Sequence, residues 1–438
     1  MPSRTGIPVA IAAVAGLVFT LAFYPGWLSF DSSYQWWQAR TGEISTINGI
    51  GIVLLWRAAR LLHDGPAPLL ILQMLLFWSG AAWLAIGTAA TTTGRVVLLA
   101  LLAGAPASWL LAQIWSDTAL AALLVFASAA ILHHRTHGGR GAFGVALTAL
   151  LLAASQRHNA IFAVAPLLLW LFAADAAATR AQRWMRSIAA AATGLVLVGG
   201  VQLTAAMMTR HHFPVLPSLT LWDLAGMSVH ERRMLLPDYA VAPNVTVDDL
   251  ASAYVSWSNT PLFASPRAGV RYPFQPWPAH DQRRLREDWL ATIVSHPRAY
   301  LAHRGALLAD LFGTRARALP AELTYVPGPV HYGDNPAVAA GDGALRRIAL
   351  AAFDALRATP AFAAWPYLAI GLIAAMAALR RRNDRRPAVL WLWASAAAYA
   401  LPYTLLAPAA EFRYLLWSCL ACLIAAWLQF VPRAERED

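Results

Sequence analysis

Residues 66–90 read PAPLLILQMLLFWSGAAWLAIGTAA, a stretch without a single charged side chain. An α-helix needs roughly 20 predominantly apolar residues to cross the hydrocarbon core of a bilayer, so this stretch is long enough. The whole chain follows the same trend, because 58% of its 438 residues are apolar and 13% are charged. Soluble proteins average about 25% charged residues. The composition predicts an all-α polytopic membrane protein and argues against a disordered chain, a soluble enzyme or a nucleic-acid module.

Ten segments, a few of them marginal in length, are predicted to span the membrane. They are residues 7–24, 66–90, 96–114, 118–133, 141–155, 160–174, 187–207, 361–379, 388–407 and 414–431. The first segment has the hydropathy of a signal peptide. Tyr24-Pro25-Gly26-Trp27 follows it without the small-residue pattern of a cleavage site, so we expect a retained span.

Arginine supplies every basic side chain other than histidine and gives the chain a formal net charge of +11. The positive-inside rule assigns short basic loops to the cytoplasm. One orientation, with the N-terminus inside, satisfies all of these loops, so the charge is explained without a nucleic-acid partner. The arginines concerned are Arg4, Arg95, Arg135, Arg140, Arg180, Arg183, Arg186, Arg380, Arg381, Arg382, Arg385, Arg386, Arg433 and Arg436.

The hydropathy divides the chain into three parts. Residues 1–207 hold seven spans, and residues 361–438 hold three more. Residues 208–360 are polar, lie outside the cytoplasm by this topology, and carry helical patterns at 281–294 and 296–312, so a partly helical extracytoplasmic domain is expected. The first outer loop, residues 25–65, contains an apolar segment at 49–62 that is too short to span and is predicted to lie in the membrane interface, in contact with lipids.

Polar residues at the span ends fall on one membrane face in this topology. A carboxylate beside several cations, at the edge of a low-dielectric layer, suits a general base with anion-binding partners. We therefore take five residues as candidates for a site: Asp31, Asp117, Arg157, His158 and Arg413.

Four of the five candidates also have a structural interpretation. Asp31 and Asp117 stand where an acid can cap a helix N-terminus. Arg413 is next to Glu411 and could form only a local ion pair, and Arg157 could snorkel to the interface. Cys419 and Cys422 have no nearby histidine, so helix packing is favoured over a metal site, and no metal or cofactor is predicted.

Several short motifs resemble those of the polytopic GT-C glycosyltransferases of bacteria. They are Tyr24-Pro25-Gly26 followed by Ser29, Asp31, Ser32 and Gln35, the Ser116-Asp117-Thr118 turn, the Arg157-His158-Asn159 turn, and Phe412-Arg413-Tyr414 before the last predicted span. The resemblance covers roughly the first 175 residues and the region near Arg413, and it rests on the order of the motifs and their common side.

The resemblance implies a membrane enzyme that takes a hexosyl or pentosyl group from a polyprenyl-phosphate-linked sugar. The acceptor would be a hydroxyl of a glycan, lipid or protein. Asp31 would be the general base, and Arg157, His158 or Arg413 would hold the departing lipid phosphate, with Asp117 also placed in the substrate site. It further implies the bacterial inner (plasma) membrane, with the active site on the extracytoplasmic side.

The chain departs from the family in two places. Many relatives carry adjacent acids in the first loop, whereas Ser32 and Ser33 follow Asp31 here, and Asn48-Gly49 stands where several relatives have His-Pro. A two-acid metal site is therefore not predicted. The alternatives are a transporter or flippase of a lipid-linked or anionic substrate, which would be expected to show broken helices with polar groups near the bilayer middle, and a structural membrane partner.

Overall fold

The computed structural model describes residues 5–89, 91–174, 178–315, 319–339, 341–381 and 384–431. Within these ranges the chain is all-helical, with 72% of residues in helices and no strands. Arg4, Arg382, Arg433 and Arg436, which contribute to the predicted topology, lie outside the described residues. The all-α class predicted from the sequence is confirmed.

The described part of the first 208 residues contains ten α-helices. Nine of them are joined by connections of a few residues, and the tenth is the longest helix of the described chain. They are α1 Gly6–Phe23, α2 Phe30–Thr41, α3 Ile50–Ala59, α4 Ala67–Thr88, α5 Thr92–Gly104, α6 Pro106–Trp109, α7 Ser116–His137, α8 Arg140–Gln156, α9 Ala160–Phe172 and α10 Arg180–Met208.

The rest of the described chain adds shorter helices in the middle segment and a second set of apolar helices. The middle segment holds α11 Leu216–Glu231, α12 Val247–Ala253, α13 Thr260–Ala264, α14 Ala279–Ser295, α15 Pro297–Leu311 and α16 Ala344–Leu356. The last set is α17 Ala364–Arg380, α18 Arg386–Ala400, α19 Tyr403–Leu406 and α20 Leu416–Phe430. Helices α14 and α15 match the two helical patterns expected in this segment.

Six helical segments of the described chain are long and apolar enough to cross a membrane. They are Gly6–Phe23, Ala67–Thr88, Ser116–His137, Arg180–Met208, Arg386–Leu406 and Phe412–Phe430. A seventh is formed if α5 and the helical residues Pro106–Ala112 count as one span, although Pro106 follows a break of 67°. The other three predicted spans form apolar helices of 13 to 17 residues, shorter than the roughly 20 that a span needs, so the count of ten is not confirmed.

The core of the helical bundle is formed by α7 and α20, which are almost wholly buried. Helix α7 packs on α4 and α8, while α20 packs on α17 and α18 and also touches α7. A polar chain inside the bundle joins three helices, because Trp417 donates to the Ser395 hydroxyl at 2.9 Å and Ser395 donates to the Ala163 carbonyl at 2.6 Å. Cys422 is buried against Gly371, where an added Cβ would overlap its sulfur.

Arginines of the short loops gather at the end of the bundle where α4, α7, α9 and α20 terminate. Arg385 donates to the carbonyl of Thr88 and, at 3.1 Å, to that of Val431. Arg135 and Arg186 both donate to the Ala173 carbonyl. The last carbonyls of a helix have no partner within the helix, so cations at this end satisfy them and complement the helix dipole.

Helix α3 corresponds to the short apolar segment predicted for the membrane interface. It packs against α2 and α8, and Trp56 on α3 stacks on Trp36 of α2 with ring centroids 5.8 Å apart. Both rings are buried, so neither of these two tryptophans stands at the surface of the protein. Leu61 and Leu62, which follow α3, are almost fully exposed.

Candidate functional site

Asp31 lies in the first turn of α2, at the end of the bundle opposite to the loop arginines. Ser29 is the N-cap of this helix: its hydroxyl accepts from the Ser32 amide at 3.3 Å, and the Ser32 hydroxyl accepts from the Ser29 amide at 3.2 Å. The capping role considered for Asp31 is therefore filled by Ser29. The Asp31 carboxylate remains 43% exposed and adds a favourable negative charge at the helix N-terminus.

Asp117 is in the first turn of α7, and it does not cap that helix either. The N-cap position is Trp115, whose amide donates to the Thr118 hydroxyl at 2.9 Å. The Asp117 carboxylate is 1% exposed and pairs through Oδ2 with Arg157. No donor from the described residues reaches its buried Oδ1. A buried carboxylate oxygen without a donor is an acceptor for a water molecule or a ligand hydroxyl.

Arg157 is placed by the tight turn between α8 and α9. Glycines at the start of α3 allow that helix to approach closely: a Cβ on Gly49 would overlap the Gln156 carbonyl, and one on Gly51 would overlap Ser155. Burial lowers the pKa of Arg157, but the charge of Asp117 and the nearby tyrosines together raise it by more, so the net pKa is raised. Asp117 is the charged partner that an arginine at the end of an apolar helix needs.

Arg413 joins the two acids. Its side chain is 9% exposed, its Nη2 lies 2.7 Å from Asp31 Oδ2, and its Nε lies 4.0 Å from Asp117 Oδ2. The same Nε donates to Glu411, so the local ion pair expected from the sequence is present alongside the two long-range contacts. The guanidinium also lies over the Trp115 ring at 4.8 Å and over Tyr414 at 5.4 Å. These contacts leave it little freedom to move.

Glu411 is a third acid of this cluster that sequence reasoning treated only as a local partner of Arg413. Its Oε1 accepts a hydrogen bond from the Tyr414 hydroxyl at 3.2 Å. Burial raises the pKa of Glu411, and the charge of Arg413 offsets only part of that effect. The signal that could have identified it is its position two residues before Arg413 on the same turn.

His158 is the one candidate that does not join the charge cluster. Its Nε2 lies 3.0 Å from the Thr46 carbonyl in the first loop. It lines, together with Arg157, a cavity of about 120 Å³ between the first loop, the α8–α9 turn and α10. The cavity has polar groups from Ser45, Asn48 and Gln202, and apolar walls from Val198, Val201 and Ala205. Arg157 therefore stands between the cluster and the cavity.

The loop that carries Glu411 and Arg413 is held by the middle segment. Arg304 of α15 donates to the Ala407 carbonyl at 2.8 Å, and the Ala410 amide donates to the Trp257 carbonyl at 2.7 Å. Arg304 is itself paired with Asp223 of α11 at 2.7 Å, and both side chains are buried. Nothing in the sequence indicated this pair, because its two residues are far apart in the chain and their helices carry no recognisable motif.

The arrangement brings four of the five predicted residues into one connected cluster. No group of three or more potential metal-ligating side chains is close enough together to hold a metal ion in the described ranges. No family model, curated protein or solved structure matches this chain. The cluster combines an exposed carboxylate held by a buried guanidinium with a second acid–arginine pair and a partly polar cavity.

Proposed function

We propose that this protein is a membrane glycosyltransferase, as the resemblance to the GT-C enzymes implies. It would move a hexosyl or pentosyl group from a polyprenyl-phosphate donor to an acceptor hydroxyl. The observation that carries the proposal is the Asp31–Arg413 pair, which holds an exposed carboxylate at the bundle end where Asp117 and Arg157 also meet. A general base needs this combination of access and orientation.

Asp31 is assigned the role of the base. The Arg413 pair occupies its Oδ2, and the carboxylate is exposed enough to meet an acceptor hydroxyl. As the acceptor oxygen forms its bond to the anomeric carbon, its proton passes to Asp31. The bond between the anomeric carbon and the phosphate oxygen breaks, and the lipid phosphate leaves with the electron pair.

Arg157, Arg413 and His158 are assigned to the phosphate, whose negative charge grows as that bond breaks. The cavity beside Arg157 supports this assignment because it is polar near His158 and apolar along α10. Such a surface suits an amphipathic donor with a charged head and a hydrocarbon chain. Most of α10 is exposed and apolar, and a lipid chain would lie along this exposed surface.

The proposed location is the inner membrane of a bacterium, with the site on the extracytoplasmic side. The support for this sidedness is the segregation of charge: the loop arginines cluster at one end of the bundle and the proposed site lies at the other. The positive-inside rule assigns the arginine-rich end to the cytoplasm.

The test is sugar transfer by purified protein in lipid nanodiscs. Polyprenyl-phosphate hexoses and pentoses carrying a labelled sugar are supplied with a bacterial membrane extract as the source of acceptors. We expect one donor to be consumed with transfer of label, and Asp31→Asn to abolish it. Failure of the wild-type protein to consume any of these donors would reject the proposal.

A transporter or flippase is a second candidate, and the observation that favours it is the 67° break between α5 and α6. Broken helices line substrate paths in many transporters. The break involves Gly104, Ala105 and Pro106, none of which carries a side chain that can bind a charged substrate. We therefore rank transport second. Movement of a fluorescent lipid phosphate between leaflets, without sugar transfer, would reverse the ranking.

A further inference from the structure

An aromatic cluster lies beside Asp31 and has no role in the chemistry described so far. Phe30, Tyr34 and Trp37 occupy positions i, i+4 and i+7 of α2 and so share one helix face. Tyr332, from the middle segment, stands edge-on against all three, at centroid distances of 5.3, 4.9 and 5.6 Å. We call Phe30, Tyr34, Trp37 and Tyr332 the aromatic patch.

The aromatic patch is held in place by backbone contacts rather than by the rings alone. The Val330 amide donates to the Leu28 carbonyl at 2.8 Å, and the Asn335 side chain donates to the Ser33 carbonyl at 2.8 Å. Tyr34 is the buried member of the patch, whereas Phe30 is 57% exposed and Trp37 and Tyr332 are half-buried. The exposed part of the patch is therefore a preformed apolar surface.

Polar and charged groups surround this surface. Asp31 lies about 60° around α2 from Tyr34, so its carboxylate flanks the patch on one side. On the other side Arg40 donates to the Asp334 carbonyl at 2.8 Å, and the Asp334 side chain is 70% exposed. His331 is also exposed. An apolar ring face bordered by carboxylates and a guanidinium presents the two kinds of contact that a sugar ring makes.

We propose that the aromatic patch binds a saccharide, and that the acceptor of the proposed transfer is therefore a sugar hydroxyl rather than a lipid or peptide hydroxyl. The proposal rests on the proposed function for the role of Asp31. The carbon-bound hydrogens of a pyranose pack on an aromatic face, and its hydroxyls bond to nearby carboxylates. A hydrocarbon chain would gain nothing from Asp334 and Arg40. A peptide strand would need free backbone groups, and Val330 already pairs with Leu28.

The test measures saccharide binding separately from transfer. Full-length protein in nanodiscs is mixed with the methyl glycosides of glucose, galactose, mannose and N-acetylglucosamine, and saturation-transfer NMR reports which of them bind. We expect at least one to bind. Phe30→Ala and Tyr332→Ala should each weaken that binding about tenfold, because each removes an aromatic contact. Leu61→Ala, which removes another exposed apolar side chain of the first loop, should leave it unchanged.

The outcomes separate this proposal from the proposed function. Asp31→Asn protein that still binds the glycoside but transfers no sugar supports both. Wild-type protein that binds a glycoside but consumes no polyprenyl-phosphate donor retains the saccharide site and rejects the transferase. If no glycoside signal depends on Phe30 or Tyr332, the saccharide site is rejected. A loss of lipid contact in the two variants, with unchanged glycoside signals, would assign the rings to an aromatic belt at the membrane surface.

Discussion

Asp31 and Arg413 form an ion pair at 2.7 Å although 382 residues separate them in the chain. Arg413 is buried and holds the more exposed carboxylate from one side. The two residues come from α2, in the first loop, and from the turn that precedes α20. The pair therefore ties the first loop to the C-terminal helices at the point where we place the reaction.

Replacing Asp31 by Asn should reduce sugar transfer by on the order of 100-fold or more, since the amide cannot accept the proton. The thermal midpoint of unfolding should change little, because Ser29 rather than Asp31 caps α2. Transfer rate and thermal unfolding of purified protein check both statements. Glu43→Gln, a change at a similarly exposed acid of the same loop, is the matched control. Near-normal transfer by Asp31→Asn would exclude it as the base.

Lysine at position 157 or 413 should lower turnover about tenfold, because a planar donor that binds two oxygens at once is replaced by a point charge. Steady-state kinetics with the labelled donor measure this effect. Arg210→Lys is the control, since the Arg210 side chain is 70% exposed and its ion pair with Glu43 is long, at 3.9 Å. Unchanged kinetics for both variants, at normal expression, would leave the two arginines with a structural role alone.

Asp117→Asn should destabilise the protein by about 2–3 kcal/mol, somewhat below the cost for a fully buried pair because Arg157 is 22% exposed. The cause is the unpaired Arg157 charge that remains. An unfolding titration in mixed micelles measures it. The double variant Asp117→Asn/Arg157→Met removes that charge and should recover part of the loss. A single variant as stable as wild type would show that the pair contributes nothing to folding.

Acidification should destabilise the middle segment through His303. Burial lowers the pKa of this imidazole, and Asp223 only partly opposes that effect. The unfolded chain then binds a proton that the folded chain does not, so stability falls as the pH drops below about 6.5, by up to about 1.4 kcal/mol per pH unit. Thermal unfolding between pH 7.5 and 5 measures this slope. His303→Gln should flatten it, whereas His280→Gln, at a 75% exposed histidine, should not. A slope unchanged by His303→Gln would contradict the assignment.

Reporter fusions at residues 270 and 384 should give opposite signals, since the first lies in the middle segment and the second in the arginine-rich loop. An alkaline phosphatase fusion should be active at residue 270 and inactive at residue 384. A fluorescent protein that folds only in the cytoplasm should give the reverse. Equal signals at the two positions would overturn the proposed sidedness.

Hydropathy predicted much of the fold, because a long apolar segment in a membrane has few alternatives to an α-helix. Each predicted span corresponds to a helix or a broken pair of helices in the described chain. The lengths of the helices were harder to predict, because local breaks in the backbone determine them. Pro106 follows a sharp bend, and α9 is only 13 residues long. The sequence pattern does not measure such geometry.

The sequence predicted which residues lie at the site, but not which of them contact each other. Topology alone put Asp31, Asp117, Arg157 and Arg413 on one face, and the structure joins them. Which acid pairs with which arginine depends on helix packing. The sequence therefore indicated Glu411 only as a local partner of Arg413, and it did not indicate that His158 lies outside the charge cluster. The Asp223–Arg304 pair and the aromatic patch depend on contacts across the middle segment, which no spacing rule reveals.

The 382-residue separation of the Asp31–Arg413 pair also orders events during synthesis. A ribosome-bound chain that has already delivered its first loop to the membrane still lacks the arginine that orients the carboxylate there. The proposed base is therefore assembled only after position 413 has left the ribosome and its turn has docked on the earlier helices. Under the proposed function, nascent or truncated chains that insert without this turn would occupy the bilayer as inactive forms.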